Sequence, residues 1–497
     1  MECGKSGSMS TGIVSPNIDF GTAPNRQNVA SHARPLATVL VVAAADMLAI
    51  FMAHALAFWV GRLVRADFTV PDVTAACATL GLLLLAYAAS GLYAGPSLGA
   101  VEELRRIALG TALVSMLVTA SLLFRQPASP NSSGGVLLCG VFTSVLVPVM
   151  RSLARHAFAG RRWWGVPAII LGAGETARML IGCLQQHPQL GFTPVACLDD
   201  GHEQLGDCAG VPVAGPLSMT RPLATSLKIR HALIAIPELG RDDLVWMLDQ
   251  CSSVFSHVIL IPNLFGAASL WVSARDIGGV LTLELRQNLL IPLNRWIKRG
   301  LDIGTAVVVG VLALPLLVVT SLWVKWVSGG SALYWQEREG EDGRSILVPK
   351  LRTMYPDAEK VLTRVLSESP EIRAEWICRF KLKQDPRILP GVGKFLRRTS
   401  FDELPQLWSV LIGEMSLVGP RPFPPYHLNA FSPRFRALRG RAKPGLTGLW
   451  QVSDRSDGDL HVQETLDTYY IRNWSLWLDI YILARTVPAV LFPRGAY

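Results

Sequence analysis

Residues 303–324 read IGTAVVVGVLALPLLVVTSLWV, and the path of this stretch decides what the rest of the chain can be. The run has the length of a bilayer-spanning helix, about 20 residues. Lys298 and Arg299 precede it; Lys325, Arg338, Lys350 and Arg352 follow. Lys and Arg collect on the cytoplasmic side of membranes, so cations on both flanks conflict with a simple crossing. Pro315 sits mid-run. It removes one backbone donor, clashes with the carbonyl four residues back and kinks a helix. We read the run as a re-entrant helix broken at Pro315, entering one leaflet and returning to the same side. Thr305, Thr320 or a packed neighbour would meet the freed carbonyl. The alternative is a kinked fifth crossing, which would put everything after residue 324 outside the cell, away from nucleotide-activated substrates.

Upstream lie four apolar runs, at 36–60, 74–94, 107–124 and 134–150, each near spanning length. The chain is 50% hydrophobic and 17% charged, with mean hydropathy +0.33, which excludes an ordinary soluble enzyme. Lys5, Arg26, Arg34, Arg105, Arg106, Arg151, Arg155, Arg161 and Arg162 flank the runs on one side, and only Arg62, Arg65 and Arg125 on the other. Both ends of the bundle are therefore expected in the cytoplasm, which makes the chain a multi-pass membrane protein. Asp46 and His54 fall within the first run, about two helical turns apart on one face. They mark a polar path or fix helix packing. Residues 1–34, polar and without a cleavable signal pattern, read as a disordered cytoplasmic tail. A net charge of +9 points to anionic lipid or phosphorylated substrates, and no nucleic-acid motif appears. The eight cysteines are scattered, with no spacing for zinc or a disulfide framework.

Residues 165–265 change character. Strand-like VPAIIL, PVACLDD, HALIAIP and HVILIP alternate with helical patterns, which argues a small parallel α/β domain. Gly172 and Gly174 open a helix as in a dinucleotide fingerprint, with Ala177 in the third place. The signal is weak alone: such glycines also serve only to pack a helix on a strand, and Asp199 lies late for a ribose-binding acid.

After residue 330 the chain turns to Arg, Gly and Pro. Strand alternation places Lys350 and Arg352 on one side, a pair suited to a diphosphate or to a solvated edge. Ser400 followed by Glu403 has the spacing of a capping box, with Pro405 inside a first turn, so a helix is expected to start near 400. Asp402 and Glu403 would then sit at a helix N-terminus, which favours anionic groups. There Asp402 could attack phosphorus as an ionised carboxylate while Glu403 holds Mg2+. Arg397, Arg398 and Arg421 could neutralise charge on phosphoryl oxygens. The bland alternative is that the acids only cap and complement the helix dipole. Residues 474–492, with Trp474, Trp477 and Tyr481 among aliphatics, read equally as an interfacial amphipathic helix or a core helix.

Residues 295–497 resemble the catalytic module of the monotopic phosphoglycosyl transferases, or bacterial sugar transferases. The resemblance is carried by Lys298-Arg299 with Asp302, the proline-interrupted run, Gln336 with Arg338, and Lys350-Leu351-Arg352-Thr353-Met354. It continues through Asp385-Pro386-Arg387, Gly393 to Ser400, Asp402 to Trp408, Met415 to Pro422, Lys443 to Val452, Leu466 to Tyr470 and Gly495-Ala496-Tyr497. The bundle and insert ahead of the module resemble the long form, of undecaprenyl-phosphate galactose phosphotransferase type. Leu314 departs from the serine that many members carry before the proline, and the basic residue usual after Gly391 is absent.

The resemblance implies that Asp402 takes hexose 1-phosphate from a UDP-sugar, releasing UMP, and passes it to undecaprenyl phosphate. Galactose is the first expectation and glucose the second. It implies Mg2+ on Glu403, phosphate contacts from Lys350, Arg352, Arg397, Arg398 and Arg421, a polar site role for Asp467, contact with membrane lipid and a homodimer. The expected organisation is a tail over 1–34, a transmembrane bundle over 35–155, a Rossmann-like α/β domain over 165–265 and a mixed α/β monotopic catalytic domain over 295–497, re-entrant at about 303–324. A membrane-tethered nucleotide-sugar dehydrogenase or epimerase built on the glycine loop is the rival reading, and that domain lacks the Tyr-x-x-x-Lys pair such chemistry needs.

Overall fold

The apolar runs become long helices because they offer few breakers and no partners for backbone groups other than their own. The computed structural model describes residues 34–64, 73–93, 99–125, 130–201, 206–238, 240–261, 272–277, 280–285, 288–369, 372–373, 382, 385–424, 428, 431–453 and 460–491. The expected tail, but for Arg34, and the 495–497 terminus lie outside the described residues. The chain forms two compact units, residues 1–99 with 106–263 and residues 100–105 with 264–497.

In the first unit, α1 (Pro35–Val64), α2 (Val73–Ala89), α3 (Ala100–Arg125) and α4 (Pro130–Phe158) form the bundle. Among these, α1, α3 and α4 are long and apolar enough to cross a bilayer, and α2 is a shorter apolar helix. Phe51, Trp59, Met116 and Phe124 are exposed, as suits lipid, while Ile50, Leu83, Tyr87, Ile107 and Val147 make the core. The polar residue in the first run has a partner that orientation counting assigned to the cytoplasmic flank. Arg151 turns inward, and its Nε and Nη2 donate to Asp46 Oδ1 and Oδ2 at 2.7 and 2.6 Å. The Tyr93 hydroxyl donates to the same carboxylate. A buried carboxylate demands such pairing, since desolvation otherwise exceeds what packing returns. His54 Nδ1 donates to the Ile50 carbonyl of its own helix, so it does not join Asp46.

The same unit carries β1 (Val166–Leu171), α5 (Glu175–Gln186), β2 (Phe192–Leu198), β3 (Asp207–Cys208), β4 (Val211–Gly215), α6 (Thr220–Leu227), β5 (His231–Ile234), α7 (Arg241–Ser252) and β6 (His257–Leu260). The sheet order is β3-β4-β2-β1-β5-β6, parallel except for β3. Both faces of β1 are buried, Ala168 and Ile170 in one apolar cluster, Ile169 and Leu171 in the other. This explains a continuous apolar run rather than alternation. Gly172 turns the chain into α5 at φ +108°, where a Cβ would strike the Ala235 carbonyl. Asp199 accepts from the amides of Ala173 and Gly201 at 2.5 and 2.7 Å. The acid is thus tied to the glycine loop itself.

In the second unit, β7 (Val272–Ile277) and β8 (Val280–Leu285) form an antiparallel pair. Next come α8 (Pro292–Ser328), β9 (Leu333–Glu339), β10 (Ser345–Leu351), α9 (Ala358–Glu368), α10 (Val392–Thr399), a 3-10 turn (Phe401–Gln406) and α11 (Leu407–Ile412). Then follow β11 (Ser416–Val418), α12 (Pro433–Arg439), β12 (Gly445–Thr447), α13 (Leu449–Val452), α14 (Leu460–Asn473) and α15 (Leu476–Leu491). The expected break at Pro315 is not an end of helix: α8 runs unbroken from Pro292 to Ser328. A proline costs a helix one hydrogen bond, which an apolar stretch of this length absorbs. The Thr320 hydroxyl donates to Leu316 and Leu317, and so is not the partner of the carbonyl four residues before Pro315.

The first turns of α8 clamp the segment that follows the paired acids. Arg299 donates to the Val410 and Leu411 carbonyls at the C-terminus of α11, where a cation and its donors are favoured. Asp302 accepts from Ser416 Oγ at 2.8 Å and the Leu417 amide at 3.1 Å, fixing β11. Lys298 reaches the Val418 carbonyl and Asp479 at 3.0 and 2.7 Å, tying β11 to α15. Asp479 and Trp474 are buried, so the start of the C-terminal helix is core rather than interface. Gly419 and Gly445 meet backbone to backbone, and a Cβ on either would collide with the other strand.

Candidate active site

The paired acids lie on the 3-10 turn Phe401–Gln406 and not at a capped α-helical start. Ser400 ends α10 in the left-handed region at φ 57°, and its side chain makes no cap. The expected capping box fails because a residue closing one helix in that conformation cannot aim its hydroxyl along the next. The Glu403 amide donates instead to the Ser400 carbonyl at 3.2 Å.

Three elements bring cations to the acids. β10 carries Lys350 on the face of Ile346 and Val348, and its Nζ donates to Glu403 Oε1 at 2.8 Å. Arg421, held between Pro420 and Pro422, donates from Nη2 to the same oxygen at 2.8 Å. α10 carries Arg397, whose Nε donates to Thr353 Oγ1 at 3.1 Å and whose charge acts on Asp402. Asp385 also faces Arg397 and is itself paired to Arg387 at 2.6 Å.

Burial and the adjacent Glu403 carboxylate push Asp402 up to about 6, against Lys350, Arg397 and Arg421. Burial also opposes ionisation of Glu403, but Arg421 and Lys350 hold it down at about 2. The two acids are therefore unlike: Glu403 is held in its charged form and Asp402 is pushed toward its neutral one, the separation that divides roles in a shared site. An attacking Asp402 must be ionised, so kcat/KM is expected to fall about tenfold per pH unit below 6 and level off above it. Lys350→Met removes one of the charges that favour the carboxylate and should move that limb to higher pH; a pH–rate profile of both forms checks the sign.

Other expected residues fall elsewhere. Arg398 is exposed, one helical step of about 100° from Arg397, and does not face the acids. Arg352 lies beyond the end of β10, so alternation stops before it; its guanidinium lies near Gly330. Asp467 is buried against Arg439 at 3.2 Å and away from the paired acids. Arg439 in turn donates to the Arg421 carbonyl, faces Glu339 at 3.8 Å and stacks over Phe423 at 4.6 Å. Asp467 thus reaches the Arg421 backbone only by way of Arg439. Sequence reading missed Arg439, which lies in none of the quoted motifs, and the roles of Thr353, Ser416, Leu417 and Val418, whose only signal was their place inside them.

Two acids of unlike ionisation among three cations, fixed beside a long apolar helix, equip the module for group transfer at phosphorus near a membrane. Comparison with known proteins agrees. Residues 293–493 match the family model of the bacterial sugar transferases, and residues 88–262 match that of a CoA-binding domain. The chain is 34% identical to undecaprenyl-phosphate galactose phosphotransferase of Salmonella typhimurium (strain LT2) over 73% of this chain and 75% of the relative. It is 32% identical to UDP-glucose:undecaprenyl-phosphate glucose-1-phosphate transferase of Escherichia coli (strain K12) over 71% and 75% of the two chains. It is 40% identical to exopolysaccharide production protein ExoY of Rhizobium meliloti (strain 1021) over 41% of this chain and 90% of that one. The chain belongs to the bacterial sugar transferase family, in its long form. It is a membrane-associated phosphoglycosyl transferase.

Proposed function

We propose that the chain moves hexose 1-phosphate from a UDP-sugar to undecaprenyl phosphate through an intermediate on Asp402, starting a polysaccharide repeat unit. The observation that carries this is the convergence of Lys350 and Arg421 on one oxygen of Glu403, each at 2.8 Å, with the buried Asp402 beside it. An Asp402 oxygen attacks the sugar-linked phosphorus; the bond to the bridging oxygen breaks and UMP leaves with that oxygen. Arg397, Lys350 and Arg421 hold the phosphate oxygens as charge develops. An acceptor phosphate oxygen then displaces the carboxylate, giving the lipid diphosphosugar and restoring Asp402. Mg2+ fits the donor type, the hard carboxylate oxygens of Glu403 and Asp402, but these two would need substrate oxygens beside them, because among the described residues no group of three or more His, Cys, Asp or Glu could hold a metal ion. Glu403, with Asp402 adjacent, would hold the ion, and substrate oxygens would complete its shell, where it neutralises diphosphate charge. UMP release from UDP-galactose and UDP-glucose by the purified chain, with undecaprenyl phosphate and Mg2+, tests the reading; release from neither would end it. The names of the relatives support both sugars, and galactose is our first choice.

The same reading places the module on the cytoplasmic face, with both ends of the unbroken α8 on that side rather than across the membrane. Ala306 packs with Val410, Leu417 and Trp474, while Val324 packs with Leu351, Leu389 and Leu396. These anchors are about 27 Å apart along a helix and belong to one domain. A crossing helix would set them on opposite sides of a core of about 30 Å. Between them Val308, Val311, Leu312, Leu314 and Val319 are exposed to lipid. Cysteines placed at Leu293 and Ser331 should both resist a membrane-impermeant thiol reagent added to intact spheroplasts. Labelling at one only would make α8 a true crossing.

A further inference from the structure

The end of β10 delivers three polar side chains in close succession, and two are committed. Lys350 is bound to Glu403 and Thr353 to Arg397. Arg352 lies between them, and its buried Nε has no hydrogen-bond partner among the described residues. The side chain as a whole is only half-buried, so its guanidinium is without a bound acceptor yet open to one that arrives. Its surroundings say which. The Arg352 amide donates to the Ala332 carbonyl, and the guanidinium lies against the turn that closes α8: a Cβ on Gly330 would be 3.8 Å from its Nη1. Just before this turn Leu322, Trp323 and Trp326 are exposed on α8. Exposed Trp and aliphatic side chains at the end of a membrane helix mark headgroup level. Among the described residues, the cations hydrogen-bonded to the paired acids are Lys350 and Arg421, both on Glu403, while Arg352 lies toward the turn after α8.

We propose that Arg352 binds the phosphate of the polyprenyl phosphate acceptor and takes no part in holding the nucleotide diphosphate. This rests on the transfer reaction proposed above. The prenyl chain runs into lipid along the end of α8, and its phosphate meets the guanidinium at headgroup level, bidentate as planar donors allow. From there an acceptor oxygen attacks phosphorus on Asp402; the new P–O bond forms as the Asp402 oxygen–phosphorus bond breaks, and the acceptor's remaining proton, if any, leaves to water.

The test separates the half-reactions in the full-length chain. Without acceptor, Arg352→Leu should release UMP from UDP-galactose or UDP-glucose in a stoichiometric burst within about twofold of the parent, which also shows that it folds. With undecaprenyl phosphate, its KM for that lipid should rise at least about tenfold, the loss of one charge-assisted contact, and Arg352→Lys should recover part of it. An equal loss in burst and transfer would return Arg352 to the nucleotide and overturn the proposal. So would an unchanged lipid KM with lost inhibition by inorganic phosphate, which would make this a site for free phosphate. No burst in the parent chain would instead refute the reaction itself.

Discussion

Asp402→Asn should abolish UMP release in membranes and in the purified chain, by at least about 10⁴-fold, the scale on which removing a covalent nucleophile acts. The amide keeps the volume and the hydrogen-bonding reach of the carboxylate but cannot form a stable phosphoryl intermediate. The substitution also removes a negative charge beside Glu403, so the cation cluster should hold a UDP-sugar at least as well as before. Retained binding with lost turnover is the signature that separates a nucleophile from a fold-supporting acid. A variant that still turned over within tenfold of the parent would mean that Asp402 only shapes the field of the site.

The second large effect is on stability. Arg439 is buried among Asp467, Glu339, Phe423 and the Arg421 carbonyl. Burial already raises Asp467 to about 6 despite that guanidinium. Arg439→Met leaves both carboxylates without their cation, and breaking such a pair costs about 3–5 kcal/mol. The melting temperature of the detergent-solubilised chain should fall on the order of 10 °C. Adding Asp467→Asn to the same chain should recover part of that loss, because the uncompensated charge is then removed. A double variant no more stable than the single would show that the cost lies in packing over Phe423. Activity should fall in both, since Arg421 loses the donor that fixes its backbone.

What was legible in the sequence follows the range of the forces involved. The membrane helices and four of the parallel strands showed because they depend on local patterning, whereas β3 is two residues long and β4, VPVAG, carries proline and glycine in place of a continuous apolar run. Asp402, Glu403, Lys350, Arg397 and Arg421 could be nominated by residue type, and the fold brings them together. Arg398 and Arg352 carried the same chemistry and went elsewhere, one turned away by the helical step, the other by the end of a strand. The clamps were unreadable because their partners are remote: Asp302 meets Ser416 across 114 positions and Asp46 meets Arg151 across 105. Ser400 misled because a capping pattern says nothing of the helix that ends on the same residue.

Everything proposed for the chemistry depends on a phosphorus–oxygen bond to one side chain. Incubating the chain with a UDP-sugar and Mg2+ but no lipid acceptor, quenching, and sequencing its peptides by mass spectrometry tests this directly. The account predicts hexose phosphate on Asp402, lost when undecaprenyl phosphate is added. Hexose phosphate on another residue, or transfer to lipid with Asp402 never modified, would contradict it.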